Sequence, residues 1–153
     1  MADYRIQRLT RKDLEVARKV FAMMADVFGE DDEGPVTEPL TDQYLDRILD
    51  RDSFWALAAF DDGDVVGGLT AHTLPMTRST ESELFIYDLA VRQDQQRRGV
   101  GSELIRAARS RAAAEGIDVV FVPADDDDTH ALEFYRAQGG AESAVTHFTF
   151  ETI

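Results

Sequence analysis

No cysteine occurs among the 153 residues. That excludes a disulfide framework, a thiolate metal site and a cysteine nucleophile. The Gly-x-Ser-x-Gly elbow of serine hydrolases is missing too. The three histidines, at 72, 130 and 147, are scattered and form no ligand pair, so no metal site is expected. No apolar run approaches the ~20 residues needed to cross a bilayer. The opening Met1-Ala2-Asp3-Tyr4-Arg5-Ile6 contains no apolar signal region, and a cytoplasmic protein is the expectation. Bases are scarce, 16 against 30 acids, for a net charge of −14. Such a chain repels nucleic acid and anionic membrane and attracts cations.

What is present is ordinary for a globular protein: 44% apolar and 30% charged residues, enough for one well-filled core. A single domain over 1–153 is expected, without repeat or linker. The charge is unevenly spread. Residues 29–64 hold twelve acids and two bases, and residues 116–153 hold eight acids and one base. Residues 92–115 reverse the sign, with six bases and three acids. The acidic blocks either serve solubility or steer a cationic ligand.

The basic block sits on the most informative stretch. Glu83-Leu-Phe-Ile-Tyr-Asp-Leu-Ala-Val91 is rich in aromatic and branched residues and apolar apart from Asp88, so it reads as a strand buried on both faces. Gln96-Arg97-Arg98-Gly99-Val100-Gly101 follows and opens a helix from Ser102 to Glu115. Glycines there let a backbone approach a ligand, and the helix start offers unpaired N–H groups to an anion. A strand, a basic glycine turn and a helix N-terminus suit a pyrophosphate; the alternative is a helix start that needs glycines for tight packing. Gly-x-Gly-x-x-Gly fails because residue 104 is Leu, and no Gly-Lys-Ser/Thr follows for a Walker loop.

Elsewhere, Tyr4–Leu9 reads as an edge strand. Thr10 with Asp13 signals a helix start, and Leu14, Ala17, Phe21, Met24 and Phe28 form a core stripe ended by Gly29. Residues 30–35 form an acidic loop. Thr41 caps a second helix to about Asp50, with Leu45, Ile48 and Leu49 inward. Strands are expected at Phe54–Phe60 and Val65–Leu74, joined by an Asp-Gly hairpin. Gly116 caps the long helix, and Ile117–Val122 forms a strand parallel to the first because a helix connects them. The run Asp125–Asp128 precedes a helix containing Tyr135. Val145, His147 and Thr149 alternate with Thr146, Phe148 and Phe150, which predicts a half-buried final strand.

Two motifs together carry a resemblance. Gln96-x-x-Gly99-x-Gly101 after a strand ending Leu-Ala-Val resembles the acetyl-CoA loop of GNAT N-acetyltransferases. Asp128-x-x-Ala131-x-x-x-Tyr135-x-x-x-Gly139 resembles their last helix, where Asn is common at position 128 and Phe at position 140. Within that family, Phe54-x-Ala-Leu-Ala-Ala-Phe-Asp61, Val65-Val-Gly67, Ile86-Tyr-Asp-Leu-Ala-Val91, Arg97-Arg98 and Ala124-Asp125 are similar to the type I aminoglycoside 3-N-acetyltransferases. Val27-Phe28-Gly29 and Thr146-His147-Phe148 agree.

The resemblance implies an α/β fold with a mixed, strongly curved central sheet flanked by helices and splayed parallel central strands, often dimeric. It implies acetyl transfer from acetyl-CoA to the 3-amine of the deoxystreptamine ring; polyamines and a non-catalytic acyl-CoA-binding module are the alternatives. The pantetheine arm would pair with the backbone of Leu89, Ala90 and Val91, and Gln96, Arg97, Arg98, Gly99, Val100, Gly101 and Ser102 would hold the pyrophosphate. Tyr135 would protonate the departing thiolate. Asp88, costly in an apolar strand unless paired or functional, and Glu83 are the candidate bases. Glu83, Asp88 and Asp125 are also expected to wall an acidic cleft for a polycationic substrate.

Overall fold

The computed structural model describes residues 4–29 and 40–153. The acidic loop expected at 30–35 lies outside them. The chain divides into two compact units, Met1–Pro123 and Ala124–Ile153.

The first unit is built on a five-stranded sheet in the order β1 (Arg5–Arg8), β2 (Phe54–Asp61), β3 (Asp64–Pro75), β4 (Ser82–Val91) and β5 (Val119–Phe121). Neighbours are antiparallel except β4 and β5, which run parallel. Helix α3 (Val100–Ala114) connects that parallel pair, as a crossover requires. The Asp62-Gly63 turn has φ of 49° and 87°, the pairing of left-handed residues that matches strand twist in a two-residue hairpin.

Local chemistry fixes the helix starts. The Asp13 carboxylate accepts from the Thr10 N–H at 2.8 Å, closing a capping box before α1 (Leu14–Phe28). The Thr41 hydroxyl accepts from the Tyr44 N–H at 3.1 Å and starts α2 (Asp42–Leu49), which buries Leu45 and Leu49. Helix α3 starts at Val100, two residues before the expected Ser102.

Successive strand residues point to opposite faces, and the pair Gly67-Gly68 on β3 shows what each face holds. A Cβ at Gly67 would meet Val100 Cγ1 of α3 at 2.7 Å; one at Gly68 would meet Val20 Cγ1 of α1 at 2.5 Å. Both helices therefore approach the sheet over a bare backbone, from opposite sides. On the α3 side the packing is dense: Leu57, Leu69, Leu84, Val100, Leu104 and Ala108 are all fully buried. The α1 side buries Ala17, Val20 and Met24 against Ala56, Ala58 and Ala90, and further along the sheet it opens into a cavity.

Two expectations need correction. Strand β4 is not buried on both faces: Leu84, Ile86 and Ala90 are buried, but Tyr87 is 63% exposed and Asp88, Leu89 and Val91 are half-buried. No strand forms at 145–150 either. Residues 140–153 lack regular structure, and Phe148 and Phe150 are 73% and 87% exposed. Alternation describes two faces, but a strand also needs a neighbour's hydrogen bonds.

Candidate active site

The site begins where β4 loses a neighbour. Strand β5 pairs only with Glu83, Leu84 and Phe85. From Ile86 onward, β4 is paired on the β3 side alone among the described residues. Its register there is also broken. Thr70 faces Asp88 while Ala71 faces Ile86, so Tyr87 is an extra residue, a β-bulge. The bulge turns the end of the strand and brings Asp88 onto the α1 face beside Thr70. Leu89, Ala90 and Val91 follow with an open edge, available to a ligand carrying amide groups.

The turn after β4 is tied down at several points. The Gln96 amide donates to the Val91 carbonyl at 3.0 Å. The Arg92 guanidinium is held by the Asp94 carboxylate at 2.6 and 3.1 Å. The Tyr4 hydroxyl, from the start of the chain, donates to the Arg98 carbonyl at 3.4 Å. Arg97 and Gly99 adopt left-handed φ of 64° and 91°. Gly99 takes the helix N-cap position with no capping side chain, so the first N–H groups of α3 are left uncovered. A Cβ at Gly99 would meet nothing within 4 Å, so the space in front is open. Arg106 pairs with Glu103 at 2.8 Å, whereas Arg97 and Arg98 are exposed beside the turn, with the Arg98 charge acting on Asp94. Positive charge, bare N–H groups and open space fit a pyrophosphate.

A cavity of about 600 Å³ lies on the α1 face. Phe21 and Phe28 of α1, Tyr44 of α2, Phe54 of β2, Thr70 and His72 of β3, and Tyr87 and Asp88 of β4 are among its walls. It is aromatic more than acidic, with Asp88 as the carboxylate among its described lining residues. Glu83 does not line it; that residue sits at the other end of β4, between Leu74 and Val119. Sequence reasoning missed His72, Tyr87 and Phe54, and took the α1 stripe for core alone. Cavity walls and core use the same residue types, so periodicity could not separate them.

In the second unit, helix α4 spans Thr129–Ala137. The Asp128 carboxylate accepts from the Ala131 N–H at 3.0 Å and caps it, while Asp125 lies exposed ahead of it. The Gly140 N–H reaches the Tyr135 carbonyl at 3.1 Å, with Gly139 at φ 90°, a Schellman ending. Tyr135 is half-buried with its ring 5.2 Å from that of Phe134. Burial, and secondarily the Asp128 charge, push its phenol above the ordinary value, so it stays protonated at neutral pH.

The Acetyltransferase (GNAT) family model matches residues 21–139. The chain belongs to the GNAT acetyltransferase family. Its co-substrate is accordingly acetyl-CoA, whose pyrophosphate the turn Gln96–Ser102 is suited to hold. Among solved structures, meta-AAC0020, an aminoglycoside acetyltransferase from an uncultured soil metagenomic sample, is 32% identical with a TM-score of 0.86, covering 98% of this chain and 97% of its own. It has been solved with trehalose and with sisomicin. HMB0005, a second aminoglycoside acetyltransferase from such a sample, is 31% identical with a TM-score of 0.91, covering 99% of both chains. AAC(6')-Iy, solved with the bisubstrate analogue CoA-S-monomethyl-acetylneamine, shares the fold at 18% identity and a TM-score of 0.80, covering 99% of this chain and all of its own. No curated protein matches the chain. No helix among the described residues is long and apolar enough to cross a membrane.

Proposed function

We propose that the protein acetylates the 3-amino group of the deoxystreptamine ring of aminoglycosides, with acetyl-CoA as donor. The observation that carries this reading is similarity above 30% along nearly the whole chain to two aminoglycoside acetyltransferases, one of them solved with sisomicin. Structures named as 6'-N-acetyltransferases match at 15–18% identity. The stretches around Phe54, Ile86 and Ala124 point to the 3-N type.

The roles follow from chemistry. The amine must be neutral to attack a thioester, the developing oxyanion needs a donor, and the thiolate must be protonated. Residues 96–102 hold the pyrophosphate. The open edge of Leu89–Val91 pairs with the pantetheine amides and supplies an N–H for the oxyanion. Tyr135, kept protonated by burial, gives its proton to the sulfur. The cavity beside Asp88 takes the acceptor, and its aromatic walls suit the sugar faces while Asp88 holds an ammonium group by a charge-assisted hydrogen bond. Glu83 and Asp125 add to the field that draws in a polycation.

The test is thiol release from acetyl-CoA in the presence of gentamicin, sisomicin and spermidine, followed by NMR of the purified product. Release with the aminoglycosides and an acetyl group on the 3-nitrogen are expected. An acetyl group on the 6'-nitrogen would overturn the regiochemistry. Release with spermidine alone would overturn the substrate class.

A further inference from the structure

The cavity contains an imidazole that neither the sequence motifs nor the family resemblance assigns. His72 lies on β3 two residues beyond Thr70, the cross-strand partner of Asp88, and all three line the same cavity. Its ring is 5.3 Å from that of Phe54 and 5.8 Å from that of Tyr87, at interplanar angles of 55° and 83°. The imidazole is thus held by two aromatic neighbours, one of them the bulge residue that turns β4, and it is half-buried rather than solvated. An imidazole also suits the task better than a carboxylate. Proton transfer from an ammonium near neutral pH is most efficient to a base whose own affinity for protons lies near the working pH, and carboxylates lie well below it.

We infer that His72 is the proton acceptor for the attacking amine, while Asp88 anchors the acceptor through charge. This rests on the reading of the cavity as the acceptor site. In the step, an N–H bond of the substrate ammonium breaks and its proton passes to an imidazole nitrogen of His72. The freed lone pair forms the C–N bond of the amide as the thioester C–S bond breaks. The second proton lost by the nitrogen balances the one taken up by the sulfur, and the imidazolium returns its proton to water. Among the described residues, the other titratable or charged groups lining the cavity are Tyr44 of α2, Arg51 just after it, and Tyr87 and Asp88 of β4. The lining residues from α1 and β2 are Phe21, Met24, Ala25, Phe28 and Phe54, none of which ionises. Among the described residues of the cavity, His72 carries the imidazole.

The experiment follows kcat/KM against pH for the parent protein, His72→Gln and His72→Ala, using whichever amine of the gentamicin, sisomicin and spermidine panel the parent turns over best. Circular dichroism and melting temperature check the fold of each variant, and Gln preserves the size of the side chain. The expected loss at neutral pH is about 10²- to 10⁴-fold, with the acid limb abolished and the KM for acetyl-CoA unchanged. Added imidazole should restore part of the rate to His72→Ala, which a packing role would not produce. A folded His72→Gln with the parent's pH profile, or a His72→Ala indifferent to imidazole, overturns the inference. Turnover of spermidine alone, with an intact His72 dependence, would defeat the aminoglycoside reading but leave the proton acceptor standing. A parent protein that turns over no amine defeats both.

Discussion

Helices α3 and α4 end alike and begin differently. Each closes on a Schellman turn with a left-handed glycine, Gly116 at φ 77° and Gly139 at φ 90°. Helix α4 begins under a carboxylate, Asp128, which satisfies an N–H and places negative charge at the positive end of the helix. Helix α3 begins under Gly99, which supplies neither. A capping side chain is worth about 1 kcal/mol, so leaving it out of α3 costs stability. Yet α3 is the better anchored helix, burying Val100, Leu104, Ile105, Ala108 and Ala112, whereas no residue of α4 is fully buried. Packing along its length lets α3 do without a cap, and its first N–H groups stay bare. Helix α4 needs its cap, so the part proposed for it rests on a side chain, Tyr135.

The largest effect expected from this division is at Tyr135. General acid catalysis contributes about 10² to 10⁴ in rate, so Tyr135→Phe should lower kcat on that scale in a stopped thiol-release assay, with the KM for acetyl-CoA little changed. Because burial raises the phenol's pKa, the acid form persists through neutral pH. Its own ionisation should limit the parent only above the ordinary tyrosine value of about 10. A Phe variant with near-parent turnover would reduce Tyr135 to a packing residue of α4.

The next effect comes from making the two helix starts alike. Gly99→Asp puts a carboxylate where the pyrophosphate should rest, in the open space before the first N–H groups of α3. Like charges about 4 Å apart cost from about 1 to about 4 kcal/mol between water and a protein surface. The KM for acetyl-CoA should therefore rise by about tenfold or more, and the rise should shrink as salt is added. Asp tolerates φ > 0 better than most residues, but at φ 91° any side chain is strained, so the melting temperature should fall while the protein stays folded. Unchanged KM in a folded Gly99→Asp protein would place the pyrophosphate elsewhere.

The strand–turn–helix of the candidate site was legible as structure because its signals are local: an apolar run, then Gln-x-x-Gly-x-Gly, then helical spacing. The capping box at Thr10, the cap at Thr41 and the Asp-Gly hairpin were legible for the same reason. The bulge at Tyr87 was not, since two residues opposing one is a property of two strands and neither pattern alone encodes it. His72 was missed with it, because β3 alternates without marking which of its faces leaves a cavity. The final alternation from Val145 to Phe150 misled in the opposite sense: it specified two faces in a segment where no neighbouring strand is paired.

The smallest effects belong to Asp128, and they separate its hydrogen bond from its charge. Asp128→Ala removes the 3.0 Å bond to the Ala131 N–H, at a cost of about 0.5–2 kcal/mol. For a chain of this size, 1 kcal/mol corresponds to a fall of about 2–4 °C in melting temperature. Asp128→Asn keeps the bond and should hold the melting temperature, since Asn caps helices as well as Asp does. It also deletes a negative charge that favours the neutral phenol. The Tyr135 pKa should therefore move down toward its ordinary value, only in part because burial is the larger cause. The sign follows: with Asn at 128, the alkaline loss of kcat begins at lower pH than in the parent, while the neutral-pH rate is unchanged. Thermal unfolding and a kcat profile through the alkaline range check both points. An Asn variant that melts as low as the Ala variant would mean that the charge at the helix end, and not the hydrogen bond, sustains α4. An alkaline limb that does not move would break the link between Asp128 and Tyr135.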